Sequence, residues 1–334
     1  MRTVLVTGGA GFIGSHLVDQ LLDGGAVVRV LDNLSTGSLV NLQSTAERQS
    51  RNGGAFSGGR LEVIIGDIRD RELLRKALRN VKYVFHLAAL PASAAPITGS
   101  GEIHAVNVEG TLNVLHGALT EGVWRVVVGS SASVYGVVDA VPVSEDAPLR
   151  PDTFFGASKV AAETYCRAFH ARHQLETVML RYFTVYGPRQ QATPDGVVAS
   201  LIGALQQRRP FLELDDRTAE DFSYIDDAVA ATLAAARAPR AAGRVINVGS
   251  GQMLTVGDVR ATLANLLRTP TADGVQGSSD VAVSRIFADT TLAQELLDFS
   301  PRVSLVAGLA RMIRWLDETE QIERTPLEPV VLDD

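Results

Sequence analysis

The stretch Val4-Leu5-Val6-Thr7-Gly8-Gly9-Ala10-Gly11-Phe12-Ile13-Gly14-Ser15-His16-Leu17 decides how the rest of the chain is read. It has the pattern of a short buried strand, a glycine turn and a helix that starts with no side chain in the way. Gly9, Gly11 and Gly14 satisfy G-x-G-x-x-G, and the count from Gly8 satisfies G-x-x-G-x-x-G. Such a turn lets backbone N–H groups approach a pyrophosphate, whose charge the positive end of the following helix favours. A glycine pattern alone is weak, and here its context supports it. Phe12, Ile13, Leu17, Leu21 and Leu22 repeat at helical spacing, and a second strand, Ala26–Leu31, ends in Asp32, 18 residues after Gly14. A carboxylate there accepts hydrogen bonds from adenosine ribose hydroxyls and repels a 2′-phosphate, so the expected cofactor is NAD rather than NADP.

Outward from that stretch, strands are expected near Thr3–Val6, Val27–Leu31, Leu61–Ile65, Tyr83–His86, Arg125–Val128 and Thr177–Leu180. Helices are expected near Phe12–Leu22, Arg71–Leu78, Ile103–Leu119 and Phe154–His173. The alternation predicts an α/β fold, a Rossmann-type doubly wound parallel sheet with ligands at the carboxyl ends of its strands. After Tyr186-Gly187-Pro188 the alternation stops. Helices Val197–Gln207, Val256–Leu267 and Leu305–Thr319 and a strand Val245–Val248 then suggest a smaller C-terminal substrate-binding part. The expected division is 1–185 for the dinucleotide unit, with some later segments returning to it, 186–320 for the smaller part, and 321–334 as a flexible tail. The glycine- and serine-rich segment Gln49–Gly59 reads as a mobile surface loop.

Composition narrows the function. The 334 residues are 46% hydrophobic, enough for a sizeable core, and the net charge of −7 argues against a nucleic acid or an anionic membrane as partner. No run of about 18 uncharged apolar residues is present. The first strand begins at residue 3, which leaves no room for a signal peptide, so a cytoplasmic protein is expected. The single cysteine, Cys166, excludes an internal disulfide and a multi-thiolate metal site, so no metal is expected.

Several residues then stand out for chemistry. Asp67-Ile68 follows the strand ending at Gly66, where a carboxylate could meet an adenine amine or cap a helix over Arg69–Leu78. His86-Leu87-Ala88-Ala89 ends the fourth strand in small residues that let a flat cofactor pass, with His86 itself read as a satisfied buried histidine. Ser130-Ser131-Ala132-Ser133 follows the fifth strand with hydroxyls able to hold a substrate oxygen. Phe155 and Lys159, four apart, share one helix face.

Taken together these segments resemble the extended short-chain dehydrogenase/reductases, in particular the NAD-dependent nucleotide-sugar epimerase/dehydratase family. The resemblance rests on TGGAGFIGSHL at 7–17, LDNLSTG at 31–37, GDIRD at 66–70, HLAAL at 86–90, NVEGTLNVL at 107–115, SSASVYG at 130–136, RYFTVYGPRQ at 181–190 and AD at 288–289. It implies a cofactor site of Gly8, Gly11, Phe12, Ile13, Gly14, Asp32, Asn33, Ser35, Thr36, Gly37, Asp67, Ile68, Leu87, Ala88, Ala89, Asn107, Lys159 and Tyr182. It also implies that Ser131 and Ser133 hold the reacting sugar hydroxyl, and that Lys159 binds the nicotinamide ribose. A homodimer is implied through the helices near Ile103–Leu119 and Phe154–His173.

The departures are informative. The family's general base is a tyrosine four residues before the lysine, and here that position is Phe155, either an engineered trap or a natural departure. The family's Gly-Asp-Gly-x-Gln-x-Arg-Asp-Phe run corresponds to Leu214–Phe222, with Glu220 where an arginine grips the substrate diphosphate, and Arg217 as a possible substitute. A second arginine has no match in Gly274–Asp280, and Ala92–Pro96 replaces a serine- and arginine-containing run. Thr184 replaces a common asparagine, a swap associated with epimerases of uronic-acid nucleotides. The substrate therefore differs from an ordinary nucleotide sugar, or its diphosphate is held differently. The resemblance implies a sugar epimerase working through a transient ketone with NAD recycled in each turnover. Dehydratases of the family place an Asp-Glu pair after the catalytic hydroxyl, which Ala132-Ser133 lacks. A dehydratase, a repurposed enzyme for a non-nucleotide substrate, and a non-catalytic NAD-binding protein are the other readings.

Overall fold

The computed structural model describes residues 3–43, 60–91, 99–193, 195–207, 215–269 and 285–324. The segments Gln49–Gly59, Ala92–Pro96 and Gly274–Asp280, together with Leu214, lie outside the described residues; of the tail expected at 321–334, residues 321–324 continue the last helix and the rest lies outside the described residues.

The opening strand β1 (Thr3–Thr7) leads through the glycine turn into α1 (Phe12–Asp23), then β2 (Val27–Asp32) and β3 (Leu61–Ile65). Helix α2 (Arg71–Leu78) precedes β4 (Val81–His86). Next come α3 (Ser100–His104), a π-helical turn (Ala105–Glu109) and α4 (Gly110–Thr120), contiguous in sequence, then β5 (Arg125–Ser131), α5 (Phe154–His173) and β6 (Glu176–Tyr182). The helix expected at Ile103–Leu119 is therefore longer and interrupted by a wide turn that carries Asn107.

The sheet has seven strands in the order β3-β2-β1-β4-β5-β6-β10, where β10 spans Val245–Val248, and every neighbouring pair is parallel. Both faces are covered, which is why the strands read as nearly continuous apolar runs. Val4 and Val6 belong to one core layer with Leu17, Val18 and Leu22 of α1, while Leu5 points into the other with Leu74, Leu78, Val114 and Phe169. The chain reverses direction between β1 and β4, so the crevice of the sheet opens above Thr7 and His86.

Beyond β6 lie β7 (Thr184–Tyr186), α6 (Val197–Gln206), β8 (Ala219–Glu220), β9 (Phe222–Tyr224) and α7 (Ile225–Arg237). After β10 follow β11 (Leu254–Thr255), α8 (Val256–Leu267), α9 (Thr291–Leu297) and α10 (Leu305–Arg324). The alternation resumes after Pro188: α7 packs against α1 and β10 adds to the edge of the sheet beside β6. The remaining short strands pair as β7 with β9 and β8 with β11. No described helix is long and apolar enough to cross a membrane.

One expected cap is corrected. Helix α2 begins at Arg71, and its cap is Asp70, whose Oδ1 accepts from the amides of Glu72 and Leu73 at 3.0 Å each. Asp67 is turned away from the helix, onto Arg69 and Asn33.

Candidate active site

The glycine turn is built by close backbone approach. Gly8 has φ +71°, and a Cβ on it would stand 2.6 Å from the Ala88 amide nitrogen. A Cβ on Gly14 would stand 2.0 Å from the Gly8 carbonyl oxygen. These two glycines bring β1, β4 and α1 together at the switch point. Gly11 occupies the N-cap of α1 in extended conformation and gives that helix no side-chain cap. The first-turn amides of Phe12 and Ile13 thus face the crevice without a side chain over them, and could hold an anion.

Asp32, at the end of β2, is buried and accepts from the amides of Ala10 (2.9 Å) and Leu34 (2.8 Å). It ties the turn to the neighbouring strand, and each carboxylate oxygen keeps a second lone pair for a ribose hydroxyl. Gly37 lies against it, since a Cβ there would be 3.1 Å from Asp32 Oδ1. The Asn33 side chain closes its own loop by accepting from Ser35 N at 3.1 Å, and Gln191 Nε2 donates to the Thr36 carbonyl at 3.2 Å. Asn33 Nδ2 donates to Asp67 Oδ2 at 2.9 Å, and the Arg69 guanidinium holds the Asp67 carboxyl down at about 2. Asp67 is therefore an ionised acceptor beyond the carboxyl end of β3. Ile68 turns inward, because a Cβ on Gly110 would meet its Cδ1 at 2.4 Å, and so it offers backbone only.

Leu87, Ala88 and Ala89 line the crevice after β4, with Leu87 N donating to Thr7 O at 3.0 Å. His86 beneath them bonds Thr7 Oγ1 through Nδ1 (2.7 Å) and Thr111 Oγ1 through Nε2 (2.9 Å). Burial, reinforced by the Lys159 charge, lowers its pKa to about 3, so the ring is neutral and satisfied, as the sequence suggests.

Two residues expected to touch the cofactor do other work. Asn107 accepts from Leu90 N at 2.7 Å and donates to Leu90 O (3.1 Å) and Ser158 Oγ (3.0 Å), so its amide clamps the β4 exit to α5. The Tyr182 hydroxyl bonds Thr232 Oγ1 of α7 at 2.7 Å inside the core and is directed away from the crevice.

At the other end, β5 brings Ser131 out opposite Tyr182 of β6. Ser131 Oγ accepts from Ser133 N (3.1 Å) and Ser133 Oγ (3.0 Å), which leaves its own proton to donate. Helix α5 is capped by Thr153, whose Oγ1 accepts from Gly156 N at 3.0 Å. That start places Phe155 and Lys159 one turn apart, with the ammonium 5.4 Å from the centre of the phenyl ring. Lys159 Nζ donates to Gly129 O at 2.8 Å, and burial lowers its pKa to about 8 against the opposing charge of Glu163.

Behind these groups lies a network that reading the sequence missed. Glu163, one turn beyond Lys159, accepts from Ser130 Oγ (2.6 Å) and from Arg181 Nε (2.9 Å) and Nη2 (2.7 Å), with both charged side chains 1% exposed. Arg181 Nη1 donates to Tyr135 OH at 2.9 Å, and Tyr135 donates to Asn247 Oδ1 at 2.6 Å. The pair spans β6 and α5 and fixes both sides of the serine turn. Its only signal in sequence is an arginine inside an apolar strand and a glutamate four residues after Lys159.

Among the short strands, Thr184 Oγ1 of β7 donates to Glu220 Oε2 of β8 at 2.5 Å. Burial pushes the Glu220 carboxyl pKa up while the Thr184 hydrogen bond lowers it. Arg217 is not brought to Glu220: its guanidinium wraps Asp215 at 2.7 Å within its own turn and stands half-exposed.

A seven-stranded parallel sheet with a glycine-rich turn at its switch point, an acid closing β2 and a serine–lysine pair across the crevice defines a dinucleotide-dependent enzyme of Rossmann type. Comparison with known proteins narrows this. Residues 4–249 match the NAD dependent epimerase/dehydratase family, and the chain belongs to it. It is 33% identical over 325 residues to the UDP-glucose 4-epimerase of Mycolicibacterium smegmatis, covering 96% of this chain and 100% of that one. Among solved structures it resembles the UDP-glucose 4-epimerase of Thermotoga maritima with UDP-glucose (TM-score 0.84, 31% identity, 96% of this chain and 100% of that one). It is also similar to a tyrosine-to-phenylalanine mutant of the Bacillus cereus UDP-glucuronic acid 4-epimerase in complex with UDP-4-deoxy-4-fluoro-glucuronic acid and NAD. That match has TM-score 0.83 and 30% identity over 95% of this chain and 100% of that one. The cofactor of this enzyme is NAD, and the glycine cradle, where a side chain at 8 or 14 would strike backbone, fits a dinucleotide.

Proposed function

We propose that the chain is a sugar epimerase acting on a nucleotide sugar, inverting one ring carbon through a transient ketone with the cofactor regenerated in each turnover. The observation that carries this reading is the Ser131–Ser133 pair at the carboxyl end of β5, the strand whose Gly129 carbonyl anchors Lys159, with no acid at 132 or 133. A dehydration would call for such an acid to expel water, whereas oxidation and reduction at one carbon call only for a held oxygen.

In this reading the amides of Phe12 and Ile13 hold the pyrophosphate beside Gly8 and Gly14, while the Gly11 amide closes the turn onto Gly8 O at 3.2 Å. Asp32 takes the adenosine ribose, with Asn33, Ser35, Thr36 and Gly37 around it. Asp67 and the Ile68 backbone meet the adenine, and Leu87, Ala88 and Ala89 form the floor. When bound in this cradle, NAD would supply the hydride acceptor and donor that an inversion through a ketone requires. Ser131, which accepts two hydrogen bonds from Ser133, donates its proton to the sugar oxygen and fixes it in place. Lys159 holds the nicotinamide ribose and places a positive charge beside the developing alkoxide.

Phe155 stands where a phenol would take the hydroxyl proton as the hydride leaves, so in this chain that proton passes to solvent water and turnover is slow. Loss of a general base costs about 10²–10⁴ in rate. A homodimer through α4 and α5 belongs to the same proposal.

The test is to load the protein with NAD, offer UDP-glucose, UDP-N-acetylglucosamine and UDP-glucuronic acid, and follow products by NMR and absorbance near 340 nm. The reading expects a slowly formed epimer with no net NADH. A deoxy-keto product would point to a dehydratase, and firm NAD binding with no sugar bound would point to a non-catalytic or repurposed protein.

A further inference from the structure

Lys159 is a cation in an apolar setting. It is 8% exposed, and Nζ donates to Gly129 O at 2.8 Å, which leaves two of its three N–H donors for a ligand among the described residues. Burial opposes the charge and draws the lysine down to about 8. Few neighbours support it. Strand β4 brings His86, neutral because it titrates at about 3, and β5 brings the Gly129 carbonyl and the Ser130 hydroxyl. The π-helical turn brings the Asn107 amide, bonded to Ser158. On α5 itself Phe155 is apolar, and burial pushes Cys166 up to about 12, so it stays a thiol. Among the described residues that leaves Glu163, one turn beyond Lys159 on the same helix face, as the anion beside the ammonium.

Glu163 is held from two strands and from its own helix. Oε1 accepts from Ser130 Oγ of β5 (2.6 Å) and Arg181 Nε of β6 (2.9 Å), and Oε2 accepts from Arg181 Nη2 (2.7 Å) and from the half-exposed Arg167 (3.2 Å). Arg181 shares the carboxylate's charge, but of the pair it is Glu163 whose field acts on Lys159. Ser130, which donates to Glu163, stands in the chain between Gly129, the anchor of the ammonium, and Ser131, whose hydroxyl faces the reacting oxygen in the proposed mechanism. One buried carboxylate therefore ties the strand exit that carries both groups to the helix that carries the lysine.

We propose that Glu163 is a positioning residue for cofactor binding: it is the counter-charge that keeps the buried Lys159 ammonium charged, and through Ser130 it holds the lysine's anchor and Ser131 in one frame. This rests on the reading of Lys159 as the group that holds the nicotinamide ribose, and it adds what makes that lysine a cation.

The test is a titration of the cofactor-stripped full chain with NAD from pH 6 to 10, repeated on Glu163→Gln and on Lys159→Met. Affinity that depends on the ammonium is full below the lysine's pKa and lost above it. The unaltered chain should therefore weaken near pH 8, and Lys159→Met should show no such step. Glu163→Gln should match the unaltered chain at pH 6 and move the step down by about one unit, so that at pH 8 it binds NAD about fivefold less tightly. A step that stays within about 0.3 unit overturns the proposal. So does a loss of affinity equal at every pH, which is what a merely structural brace would give. If the profiles of the unaltered chain and Lys159→Met coincide, the reading of Lys159 as the ribose holder fails first and this inference falls with it. Should Glu163→Gln not fold, the double variant Glu163→Met/Arg181→Met removes both charges without stranding either, and it is judged by the same criteria.

Discussion

Replacing Phe155 by tyrosine should raise turnover, and the structure sets the scale. The ring is half-buried at the start of α5, so a para hydroxyl adds one polar atom at the edge of the crevice without overfilling a core. The Lys159 ammonium lies 5.4 Å from the ring centre and is anchored to Gly129 O at 2.8 Å, so its charge does not move away. At a separation of roughly 6 Å and an effective dielectric constant of about 20, that charge stabilises a phenolate by about 3 kcal/mol, or about two pKa units. A phenol starting near 10 would then be drawn toward 8, where Lys159, itself lowered to about 8, titrates with it, so the pair shows one coupled transition close to working pH; a general base there contributes about 10²–10⁴ in rate, or about 3–5 kcal/mol of barrier. The assay is single-turnover conversion of a sugar nucleotide by the NAD-loaded Phe155→Tyr variant against the unaltered chain, over pH 6–10. A gain of at least a hundredfold with an inflection near 8 is expected. A gain below about threefold, with NAD and sugar binding unchanged, would refute the assignment of position 155 as the proton carrier's place.

Further outcomes follow from the same groups. Glu163→Ala leaves the Arg181 guanidinium, 1% exposed, with the Tyr135 hydroxyl but without its carboxylate, and should cost about 3–5 kcal/mol in urea unfolding. His86 stays neutral in the fold down to about 3, while the unfolded chain binds its proton from about 6.5. Stability contributed by its neutral burial is therefore present above 6.5 and lost as pH falls toward 3, by about 1.4 kcal/mol per pH unit. Urea midpoints at pH 7 and 5 measure this, and His86→Asn should flatten the slope. Gly14→Ala places a methyl 2.0 Å from Gly8 O, so NAD affinity should fall by tenfold or more in a fluorescence titration while the far-UV signal is retained.

Much of this arrangement is legible in the chain. The glycine turn, the acid closing β2 and the bounds of α5 follow from local rules: apolar runs buried on both faces, backbone approach that only glycine allows, and a threonine cap. That some later segments return to the dinucleotide unit was legible, and the strand Val245–Val248 with it, but the helix Ile225–Arg237 was hidden because the short strands before it break the rhythm and its alanines carry little amphipathic contrast. Asp70 rather than Asp67 caps α2 because Arg69 offers Asp67 a stronger, charged partner. Asn107 and Tyr182 lie near the crevice in sequence pattern, but the directions of their polar atoms are set by Leu90, Ser158 and Thr232, which no local pattern identifies. Arg217 looks like a replacement cation until Asp215, two residues away, is seen to hold it.

The most direct check is a titration of the purified, cofactor-stripped chain with NAD and NADP. One NAD per chain, bound at least tenfold more tightly than NADP, with the preference weakened by Asp32→Ala and binding weakened by Gly14→Ala, is the predicted result. Absence of NAD binding, or binding indifferent to both substitutions, would contradict the reading of the glycine turn.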